Sequence, residues 1–244
     1  MSYDGGGENP LDSNTTFSAE PRCFTRMAQK VLLFGDNTFP FHQLDEMEAP
    51  LRRALGPAPD ISSSTDPAVL LTLDQYDVIV DYSTDTGWTD AQIAALNDFV
   101  SDGGGYLGIH CATVLDSMGS DDPDTISEKR DEPHPVLRSL IGGHFIGHPE
   151  QSEFAVRIEQ DHPVTAGVED FTVFDEPYRV DVSDDITVLA RMDHPDLDAY
   201  PIVWVREHGE GRVCYISIGH TEEVLETTET RQLIRNALAW VDQR

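Results

Sequence analysis

Apolar residues along the chain fall into short unbroken runs separated by stretches with three-and-four spacing, the pattern of strands alternating with amphipathic helices. Val31 to Phe34 is an unbroken run that reads as a strand buried on both faces. A loop carrying Asp36, Asn37 and His42 follows, and Leu44, Met47, Leu51 and Leu55 then recur on one helical face that ends near Gly56-Pro57. Tyr76 to Tyr82 holds Val78-Ile79-Val80, a second core strand. Thr89 and Gln92 have the spacing of a capping box, opening a helix with Ile93, Leu96, Phe99 and Val100 on one side. Gly103-Gly104-Gly105 ends it, and Tyr106 to Ile109 is the next strand. Strands joined through helices are βαβ units, so this part of the sheet is parallel and its ligand site lies beyond the carboxyl ends of the strands.

Further on, Phe154 to Ile158, Ile186 to Ala190, Ile202 to Arg206 and Val213 to Ile218 read as strands, the last two joined as a hairpin through Gly209-Glu210-Gly211. From about Thr230, Leu233, Ile234, Ala237, Leu238 and Val241 return to helical spacing. Two segments break the pattern. Residues 1–28 are rich in Gly, Ser, Thr and Asn, and read as a disordered tail, with Met27 standing just before the first strand; residues 29–244 read as one domain. The acidic, Ser-rich stretch from Ser117 to Glu132 reads as a surface insertion.

Charge narrows the function. With 45 Asp and Glu against 16 Lys and Arg, the formal charge is −29. Such a polyanion is repelled by phosphate backbones and anionic lipid, and no basic patch offsets it, so neither nucleic acid nor a membrane surface is an expected partner. No apolar run approaches the roughly 20 residues that span a bilayer. Cys23, Cys111 and Cys214 show neither metal spacing nor a disulfide framework, which suits a reducing, cytoplasmic setting. Lysine is confined to Lys30 and Lys129 beneath a heavy acidic coat, the composition expected of a halophilic protein: at ~1 M salt the Debye length falls to ~3 Å and most self-repulsion is screened.

The segment Tyr106-Leu107-Gly108-Ile109-His110-Cys111-Ala112 runs a buried strand through a glycine into a sharp turn, the arrangement that presents a nucleophile in G-x-S-x-G hydrolases. Here the apex residue is His110. Cys111 is displaced by one, so its sulfur is expected to point into the core.

These residues belong to a longer series: Phe34-Gly35-Asp36 with His42, Gly103 to Ala112, Gly142-Gly143-His144-Phe145 with His148-Pro149, His162-Pro163-Val164-Thr165 with Gly167, Asp175-Glu176 with Tyr178, and Trp204 through Gly211-Arg212-Val213 to Gly219-His220. In this order they resemble the ThuA-like trehalose-utilization family, over about Lys30 to Val241. The resemblance implies an α/β, flavodoxin-like three-layer α/β/α sandwich similar to class I glutamine amidotransferases, its sheet mostly parallel with antiparallel additions. Amidotransferase chemistry does not carry over, because it needs a cysteine at the elbow. His220-Thr221-Glu222 is similar to the amidotransferase His-x-Glu pair, but a base with no thiol to activate makes no acyl-enzyme. Pro177 also stands where the family commonly has Leu.

Histidines are the best guide to a site in so acidic a chain. His42, His110, His148 and His220 follow predicted strands or lie in Gly/Pro-rich loops and can converge on the carboxyl edge of the sheet. His110, Glu176, Tyr178 and His220 are the catalytic candidates, and His42, His148 and Asp36 the substrate-binding ones. Glu176 and Tyr178, two apart on an extended segment, share one face and suit a polar sugar. His110, His148 and His220 are candidate ligands for a divalent ion such as zinc, although no HExxH-like spacing supports one; Gly147 and Pro149 exclude a regular helix aligning His144 with His148. His134, His162 and His194 precede prolines and read as surface turn residues. Trp204 and Trp240 read as core, and Trp88 as a cleft wall or a helix staple. Two functions fit: an enzyme acting on a disaccharide or an oxidised glycoside by acid/base or metal-assisted hydrolase or lyase chemistry, or a non-catalytic sugar-binding or regulatory module. A homo-oligomer is compatible with either.

Overall fold

The computed structural model describes residues 1, 28–37, 41–84, 87–115 and 132–243. The predicted tail and the acidic insertion lie almost wholly outside these residues. Among the described residues there are eleven strands: β1 (Lys30–Phe34), β2 (Asp60–Ser64), β3 (Val78–Asp81), β4 (Gly105–Ile109), β5 (Gly143–Gly147), β6 (Ser152–Ile158), β7 (Phe171–Asp175), β8 (Arg179–Val182), β9 (Thr187–Asp193), β10 (Pro201–His208) and β11 (Gly211–Ile216). Nine form one sheet in the order β2-β1-β3-β4-β11-β10-β9-β6-β7. The first five are parallel neighbours, and β10, β9, β6 and β7 extend the sheet antiparallel. β5 and β8 make a separate antiparallel pair.

The helices are α1 (Leu44–Leu55), α2 (Asp90–Ser101), α3 (Pro135–Ile141), α4 (Glu222–Glu226) and α5 (Thr228–Val241). Alternation along the central strands divides the core into two layers. Val31, Leu33, Val78, Val80, Leu107 and Ile109 pack with α1, α4 and α5. Leu32, Phe34, Ile79, Tyr106, Val213 and Tyr215 face the other way, onto α2 and α3. A parallel sheet covered on both faces needs such unbroken apolar strands. The helix starts follow local chemistry: the Thr89 side chain caps α2 in a full capping box with Gln92, and Thr227 caps α5.

Several elements went beyond the sequence pattern. β2 is a half-exposed edge strand of sequence Asp-Ile-Ser-Ser-Ser, and the turns of 3₁₀ helix over Pro67–Gln75 carry no clean period. β5, β7 and β8 are short and partly exposed. Among the described residues no helix is long and apolar enough to cross a membrane.

Strand order reverses between β1 and β3, where an open α/β sheet leaves a crevice at its carboxyl edge. The loops after β1, β3, β4 and β11 all emerge at that edge.

Candidate functional site

β4 leads directly into His110, whose backbone φ is +47°, and the chain then turns through a short 3₁₀ helix, His110–Thr113. Gly108 permits the turn: a Cβ there would lie 3.0 Å from the Tyr106 ring and 3.3 Å from Ala112 Cβ. His110 is fully buried at the apex, and Cys111 packs into the aliphatic core, where burial holds its thiol well above the usual range. Among the described residues only one other non-glycine has positive φ, His42 at +60° in the loop after β1. Positive φ is unfavourable for a residue with a Cβ and is held where surrounding structure imposes it. Both strained residues enter the same centre.

One nitrogen from each of His42, His110 and His220 and one carboxylate oxygen of Glu176 lie within 4.8 Å of one another. His42 Nε2 is 2.8 Å from His220 Nδ1, and His220 Nδ1 is 3.3 Å from His110 Nε2. Glu176 Oε2 is 3.3 Å from both His110 Nε2 and His220 Nδ1. The rings are held from behind. His110 Nδ1 donates to the Ser217 carbonyl at 2.9 Å, and His42 Nδ1 meets Thr84 Oγ1 at 3.3 Å. Buried Asp175 ties two loops together, accepting from the Gly219 amide at 2.7 Å and the Glu176 amide at 2.8 Å.

Burial and charge act in opposition here. Burial, reinforced by His110 and His220, lowers the His42 pKa to about 2. Burial would raise the Glu176 carboxyl, but the facing His110 and His220 outweigh it and hold the group well below the usual carboxylate range. Glu176 in turn raises His220. The centre therefore carries an ionised carboxylate among imidazoles, one of which favours its proton. It opens on one side: the side chain of His110 is 0% exposed, that of His220 20% and that of His148 33%.

His148 stands at this mouth. Its Nε2 is 3.7 Å from Glu176 Oε2, and its Nδ1 donates to the Pro149 carbonyl at 2.7 Å. Of the expected metal set, His110 and His220 lie in this inner group beside His42 and Glu176, while His148 lies outside it. Tyr178 is buried, with its ring 4.3 Å from that of His110 and 5.6 Å from that of His148, so it forms the wall between them. Asp36 accepts from Trp88 Nε1 at 2.9 Å and is not one of the four inner residues. Trp88 precedes the α2 cap and shares a core layer with Ile93 in the following turn, which makes it a helix staple.

The remaining histidines serve locally. His144 is in β5, against Arg138 and Asp181. His134 is the N-cap residue of α3, His162 caps a 3₁₀ turn through the Val164 amide, and His194 meets Ser152; each is half-buried rather than a surface residue. Thr84 and Ser217 escaped the sequence reading, and Asp175 entered it without a role of its own. Its one signal was its place beside Glu176 in the family series.

An α/β sandwich with a parallel half-sheet, a tight elbow after β4 and loops converging at its carboxyl edge has a flavodoxin-like architecture, and its elbow presents an imidazole. The chain belongs to the ThuA family, described as trehalose utilisation, whose model matches residues 30–241. No curated protein matches it in sequence. Among solved structures it is similar to a ThuA-like protein from Bacteroides uniformis, with TM-score 0.70, 21% identity and coverage of 91% of this chain and 95% of that one. A ThuA-like protein from Parabacteroides merdae gives TM-score 0.66, 16% identity and coverage of 88% and 90%. A β-galactosidase from Rahnella gives TM-score 0.60 and 15% identity, covering 89% of this chain and 32% of that one.

Proposed function

We propose that this ThuA-family chain is an enzyme of trehalose or related glycoside utilisation that acts on a keto-sugar, removing a proton beside the carbonyl and releasing the aglycone. The observation that carries the reading is the position of His148. A carbonyl oxygen only accepts, so the bond to Pro149 puts the hydrogen of the neutral ring on Nδ1 and leaves a lone pair on Nε2, at the mouth of a buried polar centre. An accessible base beside buried groups that can steady negative charge is what abstraction next to a ketone requires.

In this scheme His148 Nε2 takes the proton, the C–H electron pair forms the C=C bond of an enolate, and the carbonyl π pair moves onto the ketone oxygen. His220, whose protonated form Glu176 favours, donates a hydrogen bond to that oxygen. The oxygen pair then re-forms the carbonyl, the enolate pair forms a C=C bond to the neighbouring carbon and expels the aglycone oxygen, which takes up the proton held by His148, leaving an unsaturated keto-sugar. Tyr178 walls the pocket for a sugar ring. Acyl transfer as in the amidotransferases is disfavoured, because the elbow residue is His110 and the adjacent Cys111 thiol is buried and held protonated.

The test is to incubate the protein at high salt with trehalose, other disaccharides and their 3-keto forms, following products and, by calorimetry, binding. Turnover of a keto form that falls by at least ~100-fold in His148→Ala is expected. Binding without turnover would assign the chain to the sugar-binding alternative, and absence of both would remove the carbohydrate reading.

A further inference from the structure

The inner group has more lone pairs than hydrogens to share among them. His110 gives its Nδ1 hydrogen to the Ser217 carbonyl, so in the neutral ring Nε2 is bare, and it faces Glu176 Oε2 and His220 Nδ1, each 3.3 Å away. His220 Nδ1 holds at most one hydrogen, yet it faces His42 Nε2, His110 Nε2 and Glu176 Oε2 together. Among the described residues Glu176 Oε2, although buried, makes no contact with hydrogen-bond geometry. A buried carboxylate oxygen left this way is costly unless something else occupies the point it faces.

We propose that His42, His110, Glu176 and His220 bind a first-row divalent transition-metal ion, with zinc the best match. With metal–ligand lengths of about 2.0–2.1 Å, the edge of a tetrahedron of ligands is about 3.3 Å. The three separations among His110 Nε2, His220 Nδ1 and Glu176 Oε2 are each 3.3 Å. The remaining close pair, His42 Nε2 and His220 Nδ1, at 2.8 Å, opens by about half an ångström to reach the same edge. Three imidazoles and one carboxylate are a donor set suited to zinc, iron, cobalt or nickel rather than to magnesium or calcium. Ser217 and Thr84 orient two of the rings from behind, the outer-shell arrangement of metal-binding histidines. The proposal deepens the keto-sugar reading: an ion here takes the place of the His220 proton as the positive charge facing the substrate oxygen, and His148 stays free as the base.

The test strips the full chain with a chelator, reloads it with Zn²⁺ or Co²⁺ in molar KCl, and measures bound metal by elemental analysis and the visible absorption of the cobalt form. One ion per chain is expected, with tetrahedral cobalt bands, and at least ~10-fold weaker binding in His42→Ala, His220→Ala and Glu176→Gln, while His148→Ala retains the ion. Glu176→Gln keeps the side-chain shape, so its result decides if an alanine variant loses its circular dichroism. Metal content near zero after loading, or equal in all four variants, overturns the site. Full turnover of a keto-sugar by stripped protein would sink the metal proposal and leave the acid/base reading standing; a tightly bound ion without turnover of any sugar would do the reverse.

Discussion

The Nδ1 atom of His110 lies 2.9 Å from the carbonyl oxygen of Ser217, and since only the ring can donate, this one contact fixes which nitrogen of an entirely buried imidazole faces the centre. The ring is held at the apex of a strand-to-turn elbow with φ of +47°. His110→Asn, which tolerates left-handed backbone, is expected to fold and to lose at least ~100-fold in turnover. His110→Val adds a β-branched side chain at the same dihedral and should be less stable than the Asn variant by about 1–2 kcal/mol. Urea unfolding of the two variants makes the comparison; equal midpoints would contradict the strain.

Asp175 couples the Glu176 loop to the His220 loop by accepting one amide from each. Asp175→Asn turns an NH₂ group toward one of those N–H donors and leaves it unpaired in a buried position, at a cost of about 1–3 kcal/mol. A lower melting temperature should accompany a fall in kcat larger than any rise in KM, because both inner-group loops shift. An unchanged melting curve with normal kinetics would show that the bridge positions nothing.

Asp81, at the end of β3, accepts from Ser83 and from the Tyr106 hydroxyl, and burial raises its pKa to about 6 despite those bonds. From its ordinary 3.8 up to about 6, the unfolded chain releases this proton while the folded chain keeps it. The contribution of Asp81 to stability therefore declines as pH rises through that window. The stability of the natural chain minus that of Asp81→Asn, measured by urea titration at successive pH values, should be largest at the acid end and level off above it. A flat difference would mean that Asp81 ionises normally.

Tyr178 is 2% exposed, with its ring tilted against that of His110. Packing of the ring predicts that Tyr178→Phe stays within about two-fold of the natural kcat/KM, whereas Tyr178→Ala opens the wall and costs about 3–5 kcal/mol. A hundred-fold loss in the Phe variant would show instead that the hydroxyl reaches the substrate.

A net charge of −29 with little lysine predicts a fold that depends on salt. Thermal melting followed by circular dichroism should rise steeply between dilute buffer and ~1 M KCl, where the Debye length is ~3 Å. Equal melting temperatures would remove the halophilic reading.

The amino-acid order alone set the alternation of strands and helices from Lys30 to Val241, the parallel half of the sheet, the hairpin of β10 and β11 and the elbow at His110. Those features depend on local periodicity, on caps such as Thr89 and on turn chemistry, all written within a few neighbouring positions. It also marked His42, His110, Glu176 and His220 as chemistry-bearing, though not as one group. Their meeting depends on the crossovers that bring the loops after β1, β4 and β11, and the link from β7 to β8, to one edge, across separations of 178 residues for His42 and His220 and 110 for His110 and His220. The exchange of His148 for His42 in the inner group, the tautomers set by Ser217 and Pro149, and the bridge through Asp175 were likewise settled only in three dimensions. Each is a contact of one hydrogen bond's length, and no residue spacing along a chain records which carbonyl a folded loop will bring beside a ring.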